Sequence, residues 1–134
     1  MAYLKPPTFA RRVFNPLAMR FEIGGAATLA VPLRESGGTQ RVPVIPVEHD
    51  GSTYIVSTRG ESDWVRNLRA AGGRGAIERG SASEAFAASE LPVDERDPVI
   101  AAYREKAGRT VAPYWKKLPA AADHPVFRIT TVDG

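Results

Sequence analysis

The sequence predicts a mainly β domain of the α+β class, in which antiparallel strands form a sheet or barrel and helices are inserted between them. Two observations favour this fold class. Short apolar and β-branched segments are separated by turn sequences of the hairpin type. Helical segments interrupt the strands irregularly, whereas a doubly wound sheet would alternate strand and helix. The 134 residues suffice for one hydrophobic core, so we expect a single domain over residues 1–134.

Six segments have the composition of strands. The segment TYIVST at 53–58 is the clearest, because β-branched and aromatic residues prefer extended backbone. It follows Asp50-Gly51, a dipeptide that favours a tight hairpin turn. Two prolines, Pro43 and Pro46, indicate an edge strand or a bulge within 41–48. The predicted strands are 26–33, 41–48, 53–58, 75–79, 84–91 and 125–132.

Three further segments are predicted to be helices. The N-terminal segment 7–23 carries an apolar residue at every fourth position from Phe9 to Phe21, and Pro16 would bend it. Such a basic amphipathic helix could cover the core, pack in a homodimer or contact an anionic membrane surface, and the sequence leaves these open. The other predicted helices are 61–71, which ends at a Gly-Gly pair, and 94–107, whereas 111–122 is a short helix or a loop.

Composition excludes several kinds of chemistry. The chain has no cysteine, so thiolate metal sites and cysteine nucleophiles are excluded, and its two histidines are too few for a histidine metal cage. No metal site is therefore predicted. No apolar run approaches the roughly 20 residues of a membrane span, and we find no signal-peptide pattern, so we expect a cytoplasmic protein.

The basic residues are mostly arginine, 14 of the 18, which suits either an anionic ligand or the codon usage of a GC-rich genome. Arg34 and Arg41 flank a Gly-rich turn, Arg59 follows the third strand beside Ser57 and Thr58, and Arg66 and Arg69 lie on the helix just after it. Paired strands could bring these groups to one rim, where they would suit a flat ligand with several negative charges. The alternative is a solvated basic rim. A module that binds single-stranded nucleic acid is disfavoured, because no basic run or RNP-like motif is present.

No catalytic motif of the side-chain type is present, so a bound cofactor would have to supply the chemistry of an enzyme.

Three stretches of the sequence together resemble a known family. The stretch STRGESDWVRNLRA at 57–70, the preceding GGTQRVPV at 37–44 and the closing HPVFR at 124–128 resemble the deazaflavin-dependent nitroreductase family. Its members are small split β-barrels common in actinobacteria and related to flavin-binding barrels. The resemblance implies this fold and coenzyme F420 as cofactor.

The resemblance also assigns residues to the cofactor's tail and ring. Arg41 would contact the phosphate or the tail, and Arg59 matches the family's basic residue near the phosphate. Pro43 and Val44 would present their backbone along the deazaflavin ring.

A second group of residues would complete the cofactor groove. Thr58, with Ser57 beside it, would lie at the ring. Trp64 and Asn67 match helix positions that line the groove, although Trp64 could equally be a core residue.

The chain departs from the family pattern at three places, one of which is a shorter interval between Arg59 and Trp64. The turn around Arg34 is one residue longer than usual, which leaves the role of Arg34 open. The family's substrate-side tyrosines have no clean counterpart, and Tyr114 is the nearest candidate for a catalytic residue.

The resemblance therefore predicts an oxidoreductase in which reduced coenzyme F420 passes a hydride to a quinone, enone or nitro compound. Tyr114 or solvent would supply the proton. The alternatives are a non-enzymatic carrier of F420 or a tetrapyrrole, an FMN-dependent enzyme of the same fold, and, from another class, a basic membrane-associated or nucleic-acid-binding module.

Overall fold

A computed structural model of the chain describes residues 26–132. The N-terminal segment 7–23, with its predicted helix and its proposed contacts to a membrane or a second subunit, lies outside the described residues. Seven strands form one sheet within the described part. They are β1 (Ala27–Pro32), β2 (Thr39–Val44), β3 (Val47–His49), β4 (Ser52–Val56), β5 (Arg74–Arg79), β6 (Ala82–Glu90) and β7 (Val126–Thr131).

All neighbouring strands of this sheet are antiparallel, in the order β2-β1-β5-β6-β7-β4-β3. The two edge strands, β2 and β3, are consecutive in the chain and are separated only by Ile45 and Pro46. Two residues cannot bridge the width of a flat seven-stranded sheet, in which neighbouring strands lie about 4.8 Å apart. The sheet therefore curls until its edges approach each other. The predicted mainly β, barrel-like fold is confirmed.

One predicted strand is wrong in its extent. We predicted a single strand over 41–48, but the chain forms β2 from Thr39 and then β3 from Val47, on opposite edges of the sheet. Pro46, which lacks a backbone N–H, lies at the break. The hairpin turn between β3 and β4 is confirmed, since Asp50 and Gly51 have positive φ angles of 51° and 80°.

Three helices are inserted between the strands of the described part. They are α1 (Asp63–Ala70), α2 (Asp97–Ala107) and α3 (Ala112–Lys117). The predicted helix 94–107 is interrupted, because a 3₁₀ turn (Val93–Glu95) precedes Arg96 and α2 begins only after it. The ambiguous segment 111–122 contains the end of a second 3₁₀ turn (Gly108–Val111), then α3, and then the start of a third 3₁₀ turn (Ala121–Asp123). None of the helices described is long and apolar enough to cross a membrane.

Two apolar clusters hold these elements together. The first fills the curled sheet, where Trp64, Val65 and Leu68 of α1 pack among strand residues such as Phe86 and Phe127. The second cluster joins α2 and α3 to the outside of β3 and β4. Its members include Tyr54, Val99, Ile100, Tyr103 and Trp115. Helix α1 thus closes the inside of the sheet, and α3 is held against its other side.

Candidate functional site

A cleft of about 560 Å³ lies between β2, the turn after β4, the start of α1 and α3. Each of these elements contributes side chains to its walls. The lining residues are Gln40, Val42, Pro43, Thr58, Arg59, Ser62, Asp63, Trp64 and Tyr114. The cleft therefore combines flat and apolar side chains with hydroxyl, amide and charged groups, a composition typical of sites for small ligands.

A hydrogen bond from the buried Ser57 side chain closes the turn after β4. This residue is only 1% exposed, and its hydroxyl donates a 2.7 Å hydrogen bond to the Gly60 carbonyl oxygen. Gly60 has a φ of +76°, which favours glycine at this position. The closed turn leaves the next two residues, Thr58 and Arg59, on the cleft wall.

Arg59 and Tyr114 come from different elements and meet at the cleft. The Arg59 Nη2 group donates a hydrogen bond of 3.3 Å to the Tyr114 hydroxyl. The guanidinium carbon also lies 5.5 Å from the centroid of the tyrosine ring, within the range of a cation–π contact. This pair joins the turn to α3 and places a positive charge beside a phenol.

Trp64 lies in the first turn of α1 and has two roles. It is 9% exposed and packs in the sheet interior, with its ring centroid 5.8 Å from that of Phe127. It also lines the cleft. The core and groove interpretations of Trp64 are therefore compatible.

A smaller cleft of about 250 Å³ adjoins the first and shares Gln40 and Asp63 with it. Asn67 organises its wall. The Asn67 side-chain oxygen accepts hydrogen bonds from the backbone N–H of Arg34 and from Arg34 Nη1, at 3.1 and 2.6 Å. Its amide group donates to Gln40 Oε1 at 2.7 Å. Asn67, which is 1% exposed, thus fixes the long turn that carries Arg34.

The charges along the two clefts are mixed. Arg34 and Arg59 are accompanied by the carboxylates of Glu35 and Asp63. Arg34 Nη2 lies 3.6 Å from Asp63 Oδ1, an exposed ion pair that contributes little stability. An anionic ligand would therefore meet two guanidinium groups in a wall that is not strongly basic overall.

The structure brings together most, but not all, of the nine residues predicted for the site. The cleft is lined by Pro43, Thr58, Arg59, Trp64 and Tyr114, and Asn67 lines the adjoining cleft. Three predicted residues, Arg41, Val44 and Ser57, line neither of them. Arg41 forms an ion pair with Glu78 across β1, with Nε and Oε1 3.1 Å apart, and Val44 packs against the sheet interior. Arg66 and Arg69, which were also expected at the rim, line neither cleft, so the convergence of arginines extends only to Arg34 and Arg59.

Ser62 was not among the residues predicted for the site. Ser62 is the N-cap residue of α1, but its hydroxyl forms no capping hydrogen bond. The buried Ser62 oxygen has no hydrogen-bond partner, and the residue lines the cleft. A buried polar atom without a partner costs free energy unless a ligand or water supplies one. A serine at the N-cap was the available signal, but it does not distinguish capping from ligand contact.

The described residues contain no group of three or more potential metal ligands. Both histidines are described, and neither lines the cleft. His49 lies at the end of β3, while His124 is buried with its ring nitrogens 2.8 and 2.7 Å from backbone carbonyl oxygens.

The curled antiparallel sheet and its cleft define a protein of the split β-barrel class. The chain belongs to the F420H(2)-dependent quinone reductase family, whose model matches residues 8–122. The resemblance to F420-dependent reductases is thereby confirmed. None of the curated proteins compared with the chain matches it.

Solved structures with the same fold bind different cofactors according to their descriptions. An F420-H2 dependent reductase, FDR-A, is 23% identical, with a TM-score of 0.57, and the match covers 78% of this chain and 93% of that one. A FAD-binding protein from Mesorhizobium loti is 17% identical, with a TM-score of 0.56 and 84% of both chains covered. The heme storage protein HutZ from Vibrio cholerae is 16% identical, with a TM-score of 0.59, covering 85% and 86%. At these identities the likeness concerns the fold alone.

Proposed function

We propose that the protein is a reductase that binds coenzyme F420 in the cleft between β2, the turn after β4, α1 and α3. The observation that carries this proposal is the cleft itself, in a chain of the F420H(2)-dependent quinone reductase family. When bound in its reduced form, the deazaflavin supplies a hydride, and a quinone that accepts the hydride with a proton becomes a hydroquinone.

The cleft residues fit the two halves of such a cofactor. Val42, Pro43 and Trp64 offer apolar surface for a flat ring, and the unpartnered Ser62 hydroxyl offers a hydrogen bond to a polar ring edge. Arg59 offers a fork of donors for the phosphate. Arg34, held by Asn67 in the adjoining cleft, is a second cation for the anionic tail.

Tyr114 is our candidate for the group that delivers the proton. Its hydroxyl oxygen accepts a hydrogen bond from Arg59, so its own proton is free to be donated to another acceptor. The guanidinium charge would then stabilise the phenolate that is left behind. The chain's other contribution would be to bind and orient both reactants and to exclude water.

Alternatives exist for both the hydride acceptor and the cofactor. Enones and nitro compounds are electron-poor acceptors that can take up a hydride as quinones do. FMN is the alternative flat ring, while a tetrapyrrole bound through histidine is disfavoured because neither histidine lines the cleft.

Titration of the purified protein with coenzyme F420, FMN and haem tests the proposal. We expect F420 to bind most tightly, and Arg59→Ala to weaken it by about tenfold or more, since a charge-assisted hydrogen bond is lost. Arg66→Ala is the matched control, because Arg66 is an exposed arginine of α1 that lines neither cleft. Equal effects of the two substitutions, or binding of FMN without F420, would contradict the proposal.

A further inference from the structure

His124 lies behind the cleft, fully buried, and both of its ring nitrogens face backbone carbonyl oxygens. Nδ1 is 2.8 Å from the carbonyl oxygen of Ser57, and Nε2 is 2.7 Å from that of Leu118. The ring stacks on Trp115, with centroids 4.0 Å apart and planes inclined by 14°. His124 was predicted only as part of a family motif, with no role of its own.

The two carbonyl groups belong to the two segments that carry different walls of the cleft. Ser57 begins the turn that carries Thr58 and Arg59. Leu118 is the C-cap of α3, and its backbone N–H donates to the carbonyl oxygen of Tyr114 at 2.9 Å. One buried side chain therefore links the Arg59 turn to the helix that carries Tyr114.

The acceptors determine what the imidazole must donate. A carbonyl oxygen only accepts hydrogen bonds, so both contacts are hydrogen bonds only when both ring nitrogens carry a proton. The ring that makes both hydrogen bonds is therefore an imidazolium.

The elements packed around this ring also carry charged side chains. Arg104 of α2 lies 5.1 Å from the Trp115 centroid, and Asp123 precedes His124 in the chain. The remaining charged groups on the turn and on α3 are Arg59, Glu61, Lys116 and Lys117. Asp123 and Glu61 are the carboxylates in this set, and the hydrogen-bond partners of the ring are the two carbonyl groups.

We propose that His124 is a positioning residue. As an imidazolium that donates to the Ser57 and Leu118 carbonyl oxygens, it fixes the Arg59 turn against α3 and so sets the spacing of two cleft walls. The effect on cofactor binding rests on the proposed function, whereas the link between the walls is a property of the ligand-free protein.

The protonation of the ring is tested by ¹⁵N NMR of the histidine side chains in the ligand-free protein at neutral pH. We expect both nitrogens of His124 to be protonated. A signal from an unprotonated ring nitrogen of His124 would overturn the proposal.

The positioning role is tested with His124→Phe, which keeps a flat ring against Trp115 and removes both donors. We expect the backbone amide signals of Thr58, Arg59 and Tyr114 to shift together in the ligand-free protein. We expect the affinity for coenzyme F420 to fall about tenfold, as for the loss of a hydrogen bond to a charged group. The matched control is His49→Phe, at the end of β3, which should leave both readouts unchanged.

If H124F does not fold, His124→Gln replaces it, because an amide retains one donor and should give a smaller shift of the same signals. Unchanged amide signals in the folded variant, or in H124F a shift confined to one wall, would overturn the positioning role. If the wild-type protein does not bind coenzyme F420, the proposed function fails, and the NMR measurements still decide the role of His124.

Discussion

Arg59 and Tyr114 form a pair at the cleft in which a guanidinium group lies beside a phenol, our candidate proton donor. The Arg59 guanidinium donates a hydrogen bond of 3.3 Å to the Tyr114 hydroxyl and also lies over the tyrosine ring. Arg59 therefore contacts both the hydroxyl and the face of this ring. In the proposed reaction the Arg59 cation would stabilise the phenolate that develops on Tyr114. The proposal assigns binding to Arg59 and proton delivery to Tyr114, so the two roles can be tested separately.

Tyr114→Phe separates proton delivery from binding. The ring under Arg59 is kept and the hydroxyl is lost, so we expect unchanged affinity for coenzyme F420 and a turnover number reduced about 10²-fold, as for loss of a general acid. Steady-state kinetics with a quinone acceptor measure this. An unchanged turnover number would assign the proton to solvent.

Glu61 gives a prediction of pH dependence. Its pKa is lowered from the ordinary value of 4.5, chiefly by the hydrogen bond from Arg69, with further contributions from the charges of Arg69, Arg66 and Arg96. The lower pKa in the folded state means that the stabilisation is complete above 4.5 and is lost as pH falls through the folded value. Because Glu61 is half exposed, the effect is small.

The prediction for Glu61 is checked by urea unfolding at neutral pH and below pH 4.5. The Glu61→Gln variant should lose less stability on acidification than the wild-type protein, because it has no carboxylate to protonate. The same loss in both proteins would contradict the assignment.

The site was predictable from sequence to the extent that motifs fix local structure. Thr58, Arg59 and Trp64 lie within one motif, and a short turn between a strand and a helix keeps them together. Arg41 shows the limit, because its partner Glu78 is distant in sequence and becomes a neighbour only through the pairing of β1 with β2 and β5. Ser62 shows a second limit, since an unpartnered hydroxyl is a property of packing.

At the scale of elements, turns were easier to predict than strand ends. Asp50-Gly51 specified a hairpin through backbone geometry alone, and the structure confirms it. Pro46 indicated an irregularity, but the composition of the segment 41–48 could not show that β2 and β3 lie on opposite edges of the sheet. That placement depends on the order of all seven strands.

Arg96 is the residue before α2, and its side chain joins the end of β6 to a 3₁₀ turn. It is 6% exposed, and its guanidinium donates to the carbonyl oxygens of Leu91, Ala121 and Ala122 and to the carboxylate of Glu90. These bonds tie the end of β6 to the 3₁₀ turn before β7.

Arg96→Met should lower the free energy of unfolding by about 2–4 kcal/mol, because buried carbonyl groups lose their donors. Arg109→Met, at an exposed position, should change it by no more than about 0.5 kcal/mol. Chemical denaturation measures both. Equal stability of the two variants would contradict the role of Arg96.

At the scale of the whole molecule, curling of the sheet creates the site. It brings the end of β2 near the turn after β4, although these strands lie at the first and sixth positions in the sheet order. Helix α1 fills the interior, and its first turn becomes part of the cleft wall. The fold thus assembles residues from four elements around one cleft. In the proposed function a bound cofactor supplies the reactive group there.

The most direct test of the proposed reductase activity follows the oxidation of reduced coenzyme F420 by a quinone, under anaerobic conditions, with and without the purified protein. We predict that the protein accelerates this oxidation and that the rate saturates with both reactants, with FMN unable to replace the deazaflavin. An oxidation rate that is the same with and without the protein, although coenzyme F420 binds, would contradict a reductase and indicate a carrier.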